Sequence, residues 1–304
     1  MAKPIASFKG EGGGWRIKIT TASGTEIFSQ EQLQKHRGEH SRGARFLIRF
    51  HFPFDISSDS NTGDFWIYNP GRQLITEFKR HDLVKIEAGY APFEDHKELL
   101  LEGTIEDIIV DTVSPTTHML HVRVGDTTDI WPMCLASERY SPGVKASTVA
   151  TDLIEKKLEL PIGKIDPKED PKYEKGLSIV GAVRPELEMV VRDMRSKLHV
   201  SRRMVYITYP NKGIPSGVTL TPDNGLFKIK PTLGIAENME YIAELTDYEH
   251  PMLYEIIALL TPALWSDSEF TVESKEVNLD LRALRGSHDC NGKSFITSIW
   301  AAEQ

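Results

Sequence analysis

Cysteine is nearly missing from this 304-residue chain: Cys134 and Cys290 are the only two, too few for a disulfide framework or a four-cysteine zinc site. Long apolar runs are missing too, since no stretch approaches the roughly 18 residues that a membrane-crossing helix needs. The opening residues Met1 to Ile5 carry one lysine and lead into glycines at 10 and 12–14 without an apolar segment, so no secretory signal is read. Synthesis and folding in the cytoplasm of the producing cell are the expectation. Positive charge is in deficit: 36 Lys and Arg against 44 Asp and Glu leave a net −8 with no long basic run. That excludes a general nucleic-acid binder, whose affinity comes from neutralising phosphates.

What is present fits a globular protein of two or three domains, with 40% hydrophobic and 26% charged residues. Strand signals dominate the first 130 residues. Apolar and polar residues alternate from Trp15 to Thr20, and Phe46, Ile48, Phe50 and Phe52 share one face of the next segment. Phe65 to Tyr68 is a short strand closed by the breaker Asn69-Pro70-Gly71. Further strands are read over His81–Tyr90, Glu98–Asp111 and His118–Val124, the last with Leu120, Val122 and Val124 inward. Several short strands between turns favour an antiparallel barrel or sandwich.

The period then changes. Ser147 is placed to cap a helix reaching Leu160, whose buried stripe is Val149, Ala150, Leu153, Ile154 and Leu158. Pro161–Lys175 reads as a polar loop. Pro185 suits the first turn of a second helix with Leu187, Val190, Val191, Met194 and Leu198 on its apolar face, followed by the strand Met204–Thr208. Strand character returns over Tyr254–Leu260, Glu269–Ser274, Val277–Leu284 and Phe295–Ala302. The expected layout is a flexible arm (1–14), a first β-barrel (15–130), a helical α/β domain (131–225) and a second β-barrel (226–304).

His36 and His40 have helical-face spacing but lie among Arg37-Gly38 and Arg42-Gly43, a glycine-broken basic segment unsuited to a metal. His118 and His121 fall on opposite faces of a strand. Ser287, His288, Asp289 and Cys290 combine nucleophile, base and carboxylate, yet neighbours in a tight turn rarely reach one another, so Gly286–Gly292 reads as a polar turn. The glycines at 10–14 precede no helix or Gly-Lys-Ser/Thr signature and do not form a phosphate loop. Glu102, Glu106, Asp107 and Asp111 read as a solvated strand face, not as a glycosidase pair. Trp66, Trp131, Trp265 and Trp300 read as core or interface anchors. No catalytic, cofactor or metal residue is assigned, and a non-enzymatic protein is expected.

Ordered strings along residues 60–304 resemble phage baseplate hub proteins. Phe65-Trp66-Ile67-Tyr68-Asn69, then Leu83 to Tyr90 ending in Ala88-Gly89-Tyr90, then Glu102-Gly103-Thr104-Ile105 are similar to the first barrel of that family. The two helices match its α/β insert; Leu220 to Leu226, Leu259 to Leu264 and the Ser287-His288-Asp289 segment match its second barrel. Pro70 and Gly71 depart from the family's polar continuation, and residues 24–45 have no counterpart. The resemblance implies a mainly β fold in which two tail-tube-like antiparallel barrels flank a small α/β domain. It implies a homotrimer forming a pseudo-sixfold ring in the virion's tail baseplate, joining a hexameric tail tube above to a trimeric central spike below, with other baseplate proteins around it. DNA would pass through the lumen without specific binding, and three copies at −8 would carry about −24 around it. No cofactor and no membrane insertion are expected. Two alternatives from other classes are a tail-associated cell-wall hydrolase and a receptor- or glycan-binding tail module.

Overall fold

The computed structural model describes residues 15–29, 45–57, 59–90, 97–232, 252–292 and 294–304. The arm 1–14, His36 and His40 lie outside the described residues.

The first lobe contains β1 (Trp15–Thr20), β2 (Glu26–Ser29), β3 (Arg45–Phe46), β4 (Ile48–Asp55), β5 (Thr62–Tyr68), a single helical turn α1 (Arg72–Ile75), β6 (Leu83–Tyr90), β7 (Glu98–Ser114) and β8 (Thr117–Gly125). Period-2 alternation drives it: Ile17 and Ile19, Ile48, Phe50 and Phe52, Phe65 and Ile67, and Leu120, Val122 and Val124 all enter one core. Each fully buried aliphatic or aromatic side chain of this kind contributes about 1.5–3 kcal/mol.

The middle lobe contains β9 (Leu135–Tyr140), β10 (Val144–Lys145), α2 (Ala146–Leu153), which widens into a π-helical turn over Ile154–Leu158, β11 (Ile162–Asp166), β12 (Lys172–Tyr173), β13 (Leu177–Ala182), α3 (Val183–Asp193), β14 (Lys197–Ser201) and β15 (Met204–Thr208). Both helical stripes read from sequence are buried together in a second core. Leu198 belongs to β14 rather than to the helix. Two details differ from expectation. Pro161–Lys175 is not all loop, because β11 pairs in parallel with β15 and β12 pairs antiparallel with β10, and ladder bonding overrides the polar composition. Ser147 sits inside the helix, not at its cap. Its amide and its hydroxyl both donate to Asp170, each at 2.9 Å, so a carboxylate from that segment completes the positive helix start.

The last lobe contains β16 (Ile214–Leu220), β17 (Leu226–Thr232), β18 (Leu253–Leu259), β19 (Ser268–Glu273), β20 (Asn278–Cys290) and β21 (Phe295–Glu303). Its strands and those of the first lobe form one 14-stranded, mainly antiparallel sheet ordered β17-β18-β21-β20-β4-β5-β8-β7-β6-β1-β2-β3, with β19 and β16 branching from β20. The expectation of two separate barrels is therefore replaced, among the described residues, by one open sheet without barrel closure. The reason is β20, whose second half pairs with β4 from Arg285↔Asp55 to Cys290↔Phe50 while its other edge pairs with β21. Gly286 makes that seam close enough, since a Cβ there would collide with the Ser298 carbonyl oxygen and the Phe54 ring. Phe295 then reaches across into the first lobe's core, stacked on Trp15 with ring centroids 4.5 Å apart and edge-on to Tyr90 at 5.5 Å. Among the described residues no helix is long and apolar enough to cross a membrane.

Candidate functional site

The segment 286–290 is strand, not turn; beyond it Gly292 takes φ +89° and Asn291 Oδ1 accepts the Ser294 amide at 2.9 Å. Strand alternation separates the four reactive side chains. His288 and Cys290 are buried: His288 Nδ1 meets Thr297 Oγ1 at 2.9 Å, and burial pulls its imidazole down to about 3. Burial pushes the Cys290 thiol up to about 11, and its Sγ faces the Ile48 carbonyl at 3.7 Å. Ser287 and Asp289 lie on the other face, where the Ser287 hydroxyl donates to Asp289 Oδ2 at 2.5 Å and His51 Nδ1 bonds Asp289 Oδ1 at 2.5 Å. A carboxylate thus stands between hydroxyl and imidazole, so the His51 ring meets Asp289 and not the serine hydroxyl.

The remaining candidates are dispersed. His118 and His121 point to opposite faces, as their spacing requires: His118 Nδ1 lies 3.3 Å from Thr112 Oγ1, whereas His121 Nε2 bonds Asp64 at 2.7 Å and stacks on Trp66. Glu106 lies 3.6 Å from Arg123 and Asp107 contacts Arg80, while Glu102 and Asp111 lie further along β7 on either side of them. Among the described residues no group of three or more His, Cys, Asp or Glu converges as a metal site. Trp131 and Trp265 are buried anchors; Arg184 lies over the first at 5.7 Å and Arg202 over the second at 4.8 Å. Trp300 is half-buried under Arg285, and Trp66 is half-buried on the outward sheet face.

Polar chemistry concentrates instead at the joints between lobes, where sequence reading placed nothing. Asp267, fully buried at φ +68°, binds three elements at once. Lys197 of β14 contacts its Oδ1, Arg282 Nε of β20 donates to the same oxygen at 2.6 Å, and Thr208 of β15 donates to Oδ2 at 3.2 Å. Arg282 Nη1 also donates to the Pro210 carbonyl at 2.5 Å. Burial raises the Asp267 carboxyl, with the Thr208 hydrogen bond opposing it, and lowers the Arg282 guanidinium to about 10. Beside this joint, His199 is fully buried and stacked on Tyr206 at 4.9 Å; burial holds its ring down near 3, so it packs as a neutral aromatic.

The first lobe joins the middle lobe through Asp126. Its carboxylate accepts from Ser60 Oγ at 2.9 Å, the Asn61 amide at 3.0 Å and Asn61 Nδ2 at 3.1 Å, and Asn61 Nδ2 also donates to the Val200 carbonyl at 3.0 Å. Arg203 clamps the same corner, donating to Thr104 Oγ1 at 2.9 Å and Asp129 at 3.1 Å. Burial pushes the Asp126 carboxyl from 3.8 up to about 6. A raised folded-state value stabilises the protonated form, so this contribution is full below pH about 4 and is lost as pH rises through about 6. At about 1.4 kcal/mol per unit the shift bounds the loss at about 3 kcal/mol. Urea unfolding at pH 4.5 and pH 7 should therefore show a pH slope in the wild type that Asp126→Asn removes; equal slopes would rule the contribution out.

Among the described residues, β17 and β16 each pair on one side only, and β7 runs well past the end of β6. Such edges accept strands, and rigid joints would hold them in fixed relation.

No family model matches the sequence, and no curated protein matches it. Solved structures do match. A tail protein from Neisseria meningitidis MC58 superposes with a TM-score of 0.62 at 10% identity, over 96% of this chain and 97% of that one. The 43 kDa tail protein of prophage MuSo2 from Shewanella oneidensis gives 0.61 at 10% identity, over 94% and 97%. An E. coli type VI secretion component, described as structurally similar to the T4 phage tail proteins gp27 and gp5, gives 0.52 at 10% identity, over 86% and 76%. The resemblance read from the ordered strings is borne out as shared architecture, and the chain has the fold of the phage tail proteins.

Proposed function

We propose that the protein is a structural, non-catalytic subunit of a tail baseplate hub. Three copies form a ring in which each contributes two tube-like lobes, joining a sixfold tail tube to a threefold spike around the DNA channel. The observation that carries this reading is the match to tail proteins over nearly the whole chain on both sides, including both lobes of the sheet. Two facts support it further. Both lobes share one sheet through β4 and β20, so one chain holds two sheet units in a fixed geometry suited to matching sixfold to threefold symmetry. The charge of −8 per copy gives a ring that repels DNA and lets it slide. Sedimentation of the full-length protein tests the ring: the expected species has three times the 34.3 kDa chain mass. A strict monomer at high concentration and in the assembled tail would contradict it.

A further inference from the structure

Apolar packing divides the chain into two bodies, not three. Leu260, Cys290 and Phe295 of the last lobe lie in the first lobe's core, and Phe54 and Ile56 of the first lobe pack in clusters of last-lobe side chains. The first and last lobes are thus one sheet body. Among the described residues the middle lobe's core is separate and draws on residues 130–207 alone. Polar and ring contacts join it to the sheet body: Asn61 Nδ2 on the Val200 carbonyl, Arg184 on Asp59 at 2.6 Å, Lys197 and Thr208 on Asp267, and Tyr206 against Trp265. Two bodies joined in this way move against each other unless something locks them.

The β14–β15 hairpin spans that joint from end to end. Its open end, where Lys197 lies opposite Thr208, is seated on Asp267. Its closed end is the two-residue turn Arg202-Arg203 between Ser201 and Met204, with φ of +53° and +60°. A hairpin turn with both central residues left-handed is of type I′, which asparagine and glycine adopt readily and long side chains rarely do. Two arginines weaken the hairpin there, so their presence is explained by what their guanidinium groups hold. Arg202 Nη1 donates to the Leu99 carbonyl of β7 at 3.0 Å, and its guanidinium lies 4.8 Å from the Trp265 ring centre. Arg203 Nη1 donates to Thr104 Oγ1 of β7 at 2.9 Å and to Asp129 at 3.1 Å. The turn thus grips the sheet body at the opposite end of the hairpin from Asp267.

We propose that the Arg202-Arg203 turn is a latch that fixes the middle lobe on the sheet body. With the turn seated, the lobe has one orientation. With the turn released, the lobe swings as a unit about the hairpin's open end and the connection 209–213, keeping its own core. The latch lies within a single chain, so it stands or falls apart from the hub role.

The test uses the full-length chain carrying Cys134→Ser, spin-labelled at Lys85→Cys on the sheet body and Ser178→Cys on the middle lobe, both exposed positions, and mixed with excess unlabelled chain. Pulsed electron resonance should give one narrow distance between the labels. Arg202→Asn with Arg203→Gly, the residues such a turn favours, should widen the distance distribution about twofold while β14 and β15 keep their hydrogen-exchange protection. Thr104→Val with Asp129→Asn, which leaves the turn itself intact, should widen it likewise. An unchanged distribution in either double variant would overturn the latch. So would loss of exchange protection in β14 and β15 on replacing the arginines, since the turn would then serve only the lobe's own fold.

Discussion

Asp267→Asn is expected to lower the free energy of unfolding by about 3–5 kcal/mol, the usual cost of removing one partner from a buried ion cluster. The substitution keeps the side-chain shape and the tolerance for φ +68°, so backbone strain contributes little. What it removes is the anion that Lys197 and Arg282 share, in a joint where Asp267 and the Arg282 side chain are fully buried. Both cations would then be left desolvated without a counter-charge, Arg282 keeping only its bond to the Pro210 carbonyl. Because Lys197 belongs to the middle lobe and Arg282 to β20, the loss should also uncouple those lobes: calorimetry should resolve two transitions in the variant where the wild type shows one. An unfolding midpoint within experimental error of the wild type would show that the cluster does not hold the joint.

Phe295→Ala should cost about 3–5 kcal/mol, the range for emptying a large aromatic site. Its strand belongs to the last lobe, but its ring lies in the first lobe's core against Trp15, Phe50 and Tyr90. The cavity therefore opens at the seam where β20 meets β4. Chemical denaturation followed through tryptophan fluorescence reads it directly, Trp15 being its stacking partner. A cost below about 1 kcal/mol would mean that the seam collapses around the gap and that the ring is not a tie between lobes.

How far the sequence revealed this arrangement depends on what each feature needs. Alternation in Trp15–Thr20 and His118–Val124, and the stripes Val149 to Leu158 and Leu187 to Met194, were legible because their period is local and their burial follows from it. The order β, then α/β, then β was legible for the same reason. Gly286–Gly292 reads as turn because its residues are polar, yet Gly286–Cys290 is strand: two partner strands, one of them over 230 residues away in β4, decide its conformation, and neither shows in local pattern. That pairing also turned two expected barrels into one open sheet. The joints at Asp267 and Asp126 were invisible for a further reason. A buried carboxylate is distinguished from a solvated one only by what surrounds it, and Lys197, Thr208 and Arg282 come from three separate strands. Ser287, His288 and Asp289 show the converse: residues adjacent in sequence suggested chemistry that strand alternation then divided between two faces.

The proposed hub role requires this chain to join copies of itself, and a cryo-EM map of the tailed particle reads that out. The expected density is a single ring of three copies in which the first and last lobes alternate as six units around the channel, between the tube and the spike. Density for the chain as an isolated copy on the particle's exterior, or its absence from the tail, would contradict the hub role.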